Sequence, residues 1–391
     1  MSDVAIVGGG IIGAACAHSL ARAGATVTLI ERDELAAGAS GRNQGWFVLP
    51  EDPALAPMAQ ATLPVYLDVA ASAQPAVWFD VEPVGHLLVA LDDEDANDTE
   101  GVLTAARANG VEVEELDAPA LRRLEPEIAP SASRGWLLHQ GHRLDPASLT
   151  VTLALAAKAS GAEVRHHLRV RALMEERGVV RGVVTDDGRI DADTVVVAAG
   201  PWSASLLTPL GVDLPVAAAR GWIVRVDPRP VSLAHLIEHA GWRDSPQRRT
   251  AVTSPLAGDV ATHGLPRAEV GALLHTHLDG TVLVGSSREA WITPEPQDPS
   301  VPQRQLRAAI RLVPALADAR VLSSWWGLRP VSPDERPLIG KIRDGLVVAT
   351  GHGSEGIILG AGTAALVTSI VLGTDPPFDA RPFEALRFAN A

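Results

Sequence analysis

Three widely separated apolar runs in this chain each stop at glycine, and together they restrict the fold more than any other feature. They are V-A-I-V-G-G-G-I-I-G at Val4–Gly13, V-V-V-A-A-G-P-W at Val195–Trp202 and V-V-A-T-G-H-G-S-E-G-I at Val347–Ile357. A β-branched run that ends on glycine is the pattern of a buried parallel strand about to turn over a ligand. Dinucleotide folds bind beyond the carboxyl ends of such strands. Three ends of this kind predict one site assembled from the beginning, middle and end of the chain.

The first run carries the spacing G-x-G-x-x-G at Gly8, Gly10 and Gly13. Gly8 permits the tight turn, Gly10 lets the backbone approach a pyrophosphate, and Gly13 lets the next helix pack against the strand. The predicted helix Ile11–Ala23 starts at Ile11 and Ile12, with its free N–H groups and positive dipole end toward the phosphates. A second strand, Thr26–Ile30, ends at Glu31, near the roughly 20-residue spacing of the acid that binds a ribose 2′-hydroxyl. Arg32 follows. A carboxylate there counts against a 2′-phosphate and so against NADP. A bare glycine turn beside a solvated Glu-Arg pair is the plain alternative, but strand, helix and acid all fall in place.

The remaining composition narrows the class. A chain of 391 residues exceeds the size at which one core stops growing, which predicts two domains. Hydrophobic residues at 47% exclude a disordered chain. A net charge of −14 argues against nucleic-acid binding. The single cysteine, Cys16, excludes intrachain disulfides, a cysteine zinc site and an iron–sulfur cluster, and it suits the reducing cytoplasm. Its place inside the first helix is wrong for tethering a flavin. Gly356–Gly373 is uncharged and approaches membrane-spanning length. Its glycines and its position after a strand predict a buried helix along the cofactor instead, with no membrane span.

The element order predicts an interleaved architecture. Helices are expected at Pro53–Ala73, Ala147–Ser160 and Gln303–Leu312, and an acidic surface turn at Asp92–Asp98. Strands are expected at Val164–Val170, Val179–Thr185 and Val195–Ala199, with turns at Glu176–Gly178 and Asp186–Gly188. Arg220–Pro228 and Gly271–Ser287 are predicted as longer strands of a second sheet, and the Pro-, Gly- and Arg-rich stretch Asp244–Pro266 as a loop or lid. The expected fold is α/β. A Rossmann-like dinucleotide-binding domain (1–78, 141–216 and 323–391) is interleaved with a smaller α+β substrate domain (79–140 and 217–322) on a mostly antiparallel sheet.

Several further segments carry a family resemblance. They are G-A-S-G-R-N-Q-G at Gly38–Gly45, G-H-R-L-D-P-A-S-L at Gly141–Leu149, R-G-W at Arg220–Trp222 and V-L-V-G-S-S-R-E at Val282–Glu289. The most specific is W-G-L-R-P-V-S-P-D-E-R-P-L-I-G at Trp326–Gly340. With the glycine runs they make the chain resemble, over nearly its whole length, the FAD-dependent D-amino-acid oxidase, glycine oxidase and sarcosine oxidase family. That resemblance implies non-covalent FAD. It implies cofactor contacts from Ala39, Ser40, Arg42, Asn43, Gln44, Gly45 and Trp46, and from Val170 to adenine. Ala199, Gly200, Trp202 and Gly327 complete the expected surround, together with His352, Gly353, Ser354, Glu355, Gly356, Ile357 and Ile358 at the flavin pyrimidine edge. A helix N-terminus at that edge fits the negative charge that reduction places there.

Arg329 is the leading catalytic-site candidate. Held between Leu328 and Pro330 in an extended segment, its guanidinium suits a two-bond grip on a carboxylate. The alternative is a structural arginine paired with Asp334 or Glu335. Trp46, Trp222, Ser354 and Glu355 are expected on the substrate side, and His275 and His277, alternating on a strand, as candidate bases.

The resemblance has departures. Where glycine oxidases carry a second substrate arginine this chain has Ser354, and their substrate tyrosine falls near Leu273. The lysine that activates oxygen in sarcosine oxidases has no counterpart, since the only lysines are Lys158 and Lys341. The expected activity is oxidation of the C–N bond of an amino acid or related small-molecule amine, with oxygen or another acceptor taking the electrons. Oxidation of a 2-hydroxy acid or another C–O bond, and a role as a helper FAD subunit of a larger dehydrogenase, remain open alternatives. Oxygen turnover is expected to be slow, or to fall as pH rises through a histidine pKa. Oligomeric state is not legible.

Overall fold

The computed structural model describes residues 3–72, 81–97, 99–229, 231–242, 268–291 and 298–389. The predicted loop at Asp244–Pro266 lies outside them.

The strand Asp3–Val7 sits at the centre of a six-stranded sheet, pairing in parallel with Thr26–Ile30 on one side and Thr194–Val197 on the other. Leu346–Thr350 extends the sheet in parallel from Thr194–Val197, and Leu338–Arg343 closes that edge antiparallel. Glu163–Arg165 forms the opposite edge. The carboxyl ends of Asp3–Val7, Thr194–Val197 and Leu346–Thr350 are therefore neighbours, as the three glycine stops require.

Two of the glycines are forced. Gly8 adopts φ +117°, and a Cβ on it would meet the carbonyl of Ala198. A Cβ on Gly13 would lie 1.9 Å from the carbonyl oxygen of Gly8, so nothing larger lets the helix Ile11–Arg22 reach the sheet. That helix is packed against the last helix, Gly356–Leu372, and against Pro146–Ala159. Gly360 and Gly362 of the last helix accommodate Tyr66 and Met58 of a further helix, Ala56–Ser72. The apolar stretch after Glu355 is thus consumed in helix packing. No helix among the described residues is long and apolar enough to cross a membrane.

A second, eight-stranded sheet covers the open ends of the first. Its order is Arg320–Val331, Ala217–Asp227, Val282–Trp291, Glu269–Thr276, Leu236–His239, His86–Ala90, Arg134–Leu138, Val113–Asp117. Every pairing is antiparallel except Leu236–His239 with His86–Ala90. The mostly antiparallel second layer is as predicted. The strand Arg320–Val331 is continuous across the expected boundary at 322/323 and pairs along its length with Ala217–Asp227.

Three local expectations need correction. Val164–Val170 is not one strand. Glu163–Arg165 ends the large sheet, His167 takes φ +56°, and Val170–Glu176 begins a separate three-stranded antiparallel sheet. Hydrogen bonds from Glu31 N to Arg165 O and from Leu168 N to Glu31 O hold the chain in that crossing. Gly271–Ser287 is a hairpin of Glu269–Thr276 and Val282–Trp291, turning at Gly280 with φ +81°. Within the acidic stretch, Asp93–Asn97 is a short helix.

Candidate active site

Between the two sheets lies a cavity of about 910 Å³. It runs from Glu31, Arg32, Arg169, Val170 and Trp202 at one end to Leu273, Glu238 and Arg329 at the other. The volume falls in the upper part of the range for small-molecule sites, roughly 300–1,000 Å³.

Near the first strand the wall is built for a nucleotide. Glu31 Oε2 accepts from Gly9 N at 2.6 Å and its Oε1 from Asp33 N at 2.9 Å, so the acid at ribose spacing also braces the glycine turn. Ser40 Oγ accepts from Ile11 N at 2.9 Å, tying the Gly38–Gly45 loop to the helix N-terminus. A Cβ on Gly10 would lie 3.0 Å from that hydroxyl, so the clearance beside the helix exists only because residue 10 is glycine. Arg32 lies over the Trp202 ring at 4.0 Å and caps the outer lip. Ile12, Ala39, Asn43, Ala199 and Gly200 line the space between.

The far end receives the turn Gly351–Gly356. Gly353 N donates to Pro330 O at 2.7 Å, which docks the turn on the segment carrying Arg329. His352 is buried, with its Nε2 3.0 Å from Thr363 Oγ1, and burial pulls its pKa down to about 3. Tyr66, the one tyrosine, is not at the substrate wall. Its hydroxyl donates to Ile357 O at 2.8 Å and so supports the first turn of the last helix. Ser354, Glu355, Gly356, Ile357 and Ile358 all line the cavity there.

Arg329 reaches across its neighbouring strand. Its Nη1 donates to Ser287 O at 3.0 Å and its Nη2 to Ser286 Oγ at 3.2 Å. This path crosses Gly221, where a Cβ would stand 2.0 Å from Nη1. Neither Asp334 nor Glu335 serves as its partner: Asp334 pairs with Arg387 at 2.7 Å, and Glu335 pairs with Arg288. Gly327 and Arg42 lie beside it on the wall, with Arg42 Nε donating to Ala37 O at 2.7 Å.

The candidate residues do not all converge. Gln44 and Trp46 line the cavity, Gln44 donating through Nε2 to Leu273 O at 3.0 Å over the clearance left by Gly285. Gly13 and Gly45 stand behind the wall, where Gly45, at φ +76°, packs against Leu144. Trp222 points to the opposite face of its strand and donates through Nε1 to Glu289 at 2.9 Å. His275 and His277 do share one face, their ring centroids 6.4 Å apart, but neither lines the cavity. His275 accepts from Trp46 Nε1 at 2.8 Å on Nδ1 and lies behind that indole. Burial, with His277 and Arg143 nearby, pulls its pKa down to about 3. His277 contacts Asp145 at 3.4 Å and Asp279 at 3.2 Å instead.

Sequence reasoning passed over Glu238, Arg288, Ser286 and Leu168, all of which line the cavity. Ser286 and Arg288 lie in the V-L-V-G-S-S-R-E segment without an assigned role, and Glu238 and Leu168 belong to no recognisable motif. Among the described residues the one cluster with metal-ligand geometry, Glu34, His166 and His167, is exposed.

With this geometry in place, the whole-chain comparisons are decisive. The family model for FAD dependent oxidoreductases matches residues 3–370. The chain belongs to that family. Its sequence is 29% identical over 392 residues to the glycine oxidase of Pseudomonas aeruginosa, covering 97% of both chains. It is 30% identical over 290 residues to a D-amino acid dehydrogenase of Rhizobium johnstonii, covering 73% of this chain and 62% of the other. The solved glycine oxidase of Geobacillus kaustophilus superposes with a TM-score of 0.82 at 26% identity, covering 99% of this chain and 98% of that one. The cofactor is FAD, and the glycine-cleared, helix-capped cavity fits it.

Proposed function

We propose that this FAD enzyme oxidises the C–N bond of an amino acid or a related carboxylate-bearing amine. The observation that carries the reading is Arg329, set in the cavity wall on the segment that receives the turn Gly351–Gly356 and held by Ser286 and Ser287. When bound, FAD supplies an acceptor for two electrons and a proton at N5. Everything else is positioning. Arg329 grips the substrate carboxylate with parallel charge-assisted hydrogen bonds and holds the Cα–H toward that acceptor. The amine binds neutral, so its nitrogen lone pair assists loss of hydride from Cα, and the resulting iminium gives an N–H proton to water to leave as the imine. Water then converts the imine to a carbonyl compound with release of ammonia or an amine. No protein base is needed to break the C–H bond, which agrees with the placement of His275 and His277 behind the wall.

The relatives support an amine over an alcohol donor, since their names specify glycine and D-amino acids. The test is product analysis in an anaerobic single turnover. A carbonyl product and ammonia or an amine, each equal to the flavin reduced, are expected. Flavin reduction with a 2-hydroxy acid and no nitrogen release refutes the reading, and a protein reduced only after adding a partner subunit makes it a helper chain.

A further inference from the structure

The cavity wall carries a second guanidinium that the proposed reaction does not use. Along the strand Val282–Trp291, Ser287 and Glu289 face away from the cavity. The Ser287 hydroxyl accepts from Trp222 N at 2.9 Å, and Glu289 pairs with Arg220 and accepts from Trp222 Nε1. Alternation sends Ser286 and Arg288 to the other face, and both line the cavity. The Arg288 side chain is 15% exposed. Among the described residues its one partner is Glu335, met through a single guanidinium nitrogen, Nη2, and a single carboxylate oxygen.

An arginine stays charged at any working pH and presents its N–H donors in a rigid planar fork. The contact with Glu335 leaves most of that fork without a protein acceptor among the described residues. Glu335 is itself 36% exposed and is no part of the cavity wall, so this is a solvent-screened pair and a weak reason to bury a guanidinium. Arg329 rests beside the root of Arg288. Its Nη1 donates to Ser287 O, the carbonyl of the peptide that Arg288 N completes, and its Nη2 to the Ser286 hydroxyl. Two cations therefore enter one cavity from adjoining positions, and a ligand with one carboxylate answers only one of them. The phosphates of FAD have the N-terminus of Ile11–Arg22 at the other end of the cavity, so a second anion beside Arg288 belongs to the substrate.

We infer that Arg288 is a specificity residue that binds a second carboxylate, so that the substrate is an amine bearing two carboxylates, an amino- or imino-dicarboxylic acid. The inference rests on the carboxylate anchor proposed above and adds a substrate class to it. Arg329 holds the carboxylate beside the reacting Cα, and Arg288 takes the other with a fork that matches two oxygens. Glu335 already offsets part of the charge on Arg288, which suits a group with one negative charge better than a phosphate with nearly two. An acid of the same length that ends in a methyl group shields Arg288 from water and gives it no new partner. A site built for a polar group discriminates strongly against such an analogue.

Acids of equal length that differ only at the far end test this on the oxidised FAD holoenzyme. Malonate is compared with propionate, succinate with butyrate and glutarate with pentanoate, and binding is read from the shift in flavin absorbance, without turnover. In the wild type at least one diacid is expected to bind at least tenfold more tightly than its mono-acid. Arg288→Gln is expected to bring that pair within threefold while mono-acid affinity and FAD content stay the same. Glu335→Gln, which leaves the guanidinium in place and removes its competitor, is expected to bind the preferred diacid more tightly than the wild type. Equal affinities within every wild-type pair overturn the inference, whatever the variants do. A tenfold preference that survives Arg288→Gln overturns it, as does equal or weaker diacid binding by Glu335→Gln. A parallel loss of mono-acid affinity in Arg288→Gln overturns it too, because the charge then acts on any anion, and loss of FAD from that variant makes Arg288 a cofactor contact instead. Mono-acid binding that survives Arg329→Ala is a different failure, because it refutes the carboxylate anchor and leaves the far-end preference to be judged on the Arg288 result.

Discussion

Replacing Gly221 by alanine isolates the function of Arg329 from the fold. The added Cβ would stand 2.0 Å from Nη1, 2.6 Å from Cζ and 2.8 Å from Nη2. A real Cβ contact is essentially never under 3.0 Å, so the guanidinium must move by about 1 Å or more. It can do so, because it is the far end of a flexible side chain. The fold loses the two hydrogen bonds to Ser287 and Ser286, about 1 kcal/mol each. A 1 Å misplacement of a positioning group costs on the order of 100-fold in rate, equal to about 2.7 kcal/mol of transition-state stabilisation. Gly221→Ala is therefore expected to lower kcat/KM for carboxylate-bearing amines about 100-fold with normal FAD content and a small change in Tm. Steady-state assays give kcat/KM, FAD released and counted after denaturation gives cofactor content, and thermal unfolding gives Tm. Unchanged kcat/KM, with the variant's crystal structure showing the guanidinium displaced, refutes the assignment of the carboxylate to Arg329.

Other outcomes follow from the same geometry. Gly13→Ala puts a Cβ against backbone that cannot yield, the carbonyl of Gly8, so it is expected to abolish FAD retention, and full flavin occupancy in the purified variant contradicts this. His275 and His352 have folded pKa values near 3 against 6.5 when unfolded, so the unfolded chain binds more protons between those limits. Their contribution to stability is complete above pH 6.5 and is lost as pH falls toward 3, at about 1.4 kcal/mol per pH unit for each histidine. Urea midpoints from pH 7 to 5 are expected to fall accordingly, and a flat profile refutes the burial argument. Because those two histidines are neutral at working pH, and neither Lys158 nor Lys341 lines the cavity, reoxidation by oxygen is expected to be slower than by a quinone or dye. Rapid peroxide formation from pre-reduced enzyme refutes that expectation.

The parts of the site that were legible in the sequence are those specified by local backbone demands. Gly8, Gly10 and Gly13 mark a turn that only glycine allows, and the strand Thr26–Ile30 and the helix beginning at Ile11 were predicted with those starts. The Trp326–Gly340 run located Arg329 through a family pattern. The hairpin within Gly271–Ser287 carried a signal that was passed over: the Asp279-Gly280 pair is a strong turn dipeptide, and Gly280 does take positive φ. Glu238 had no comparable signal. Its partner His86 is 152 residues away, and only the pairing of Leu236–His239 with His86–Ala90 brings them together. The clearances at Gly221 and Gly285 are equally invisible in one dimension, because they exist to admit side chains from remote segments, Arg329 and Gln44. Alternation placed His275 and His277 correctly on one face but could not reveal that Trp46 stands between His275 and the cavity.

The central claim is that the FAD in this cavity is reduced by a carboxylate-bearing amine held on Arg329. It is tested most directly by mixing the holoenzyme, without oxygen, with amino acids, N-methyl amino acids, simple amines and 2-hydroxy acids, and following loss of flavin absorbance. The account predicts that at least one carboxylate-bearing amine bleaches the flavin completely and that Arg329→Ala slows this by roughly 2–5 kcal/mol in apparent barrier. Bleaching confined to hydroxy acids, or bleaching by an amino acid at the same rate in Arg329→Ala, contradicts it.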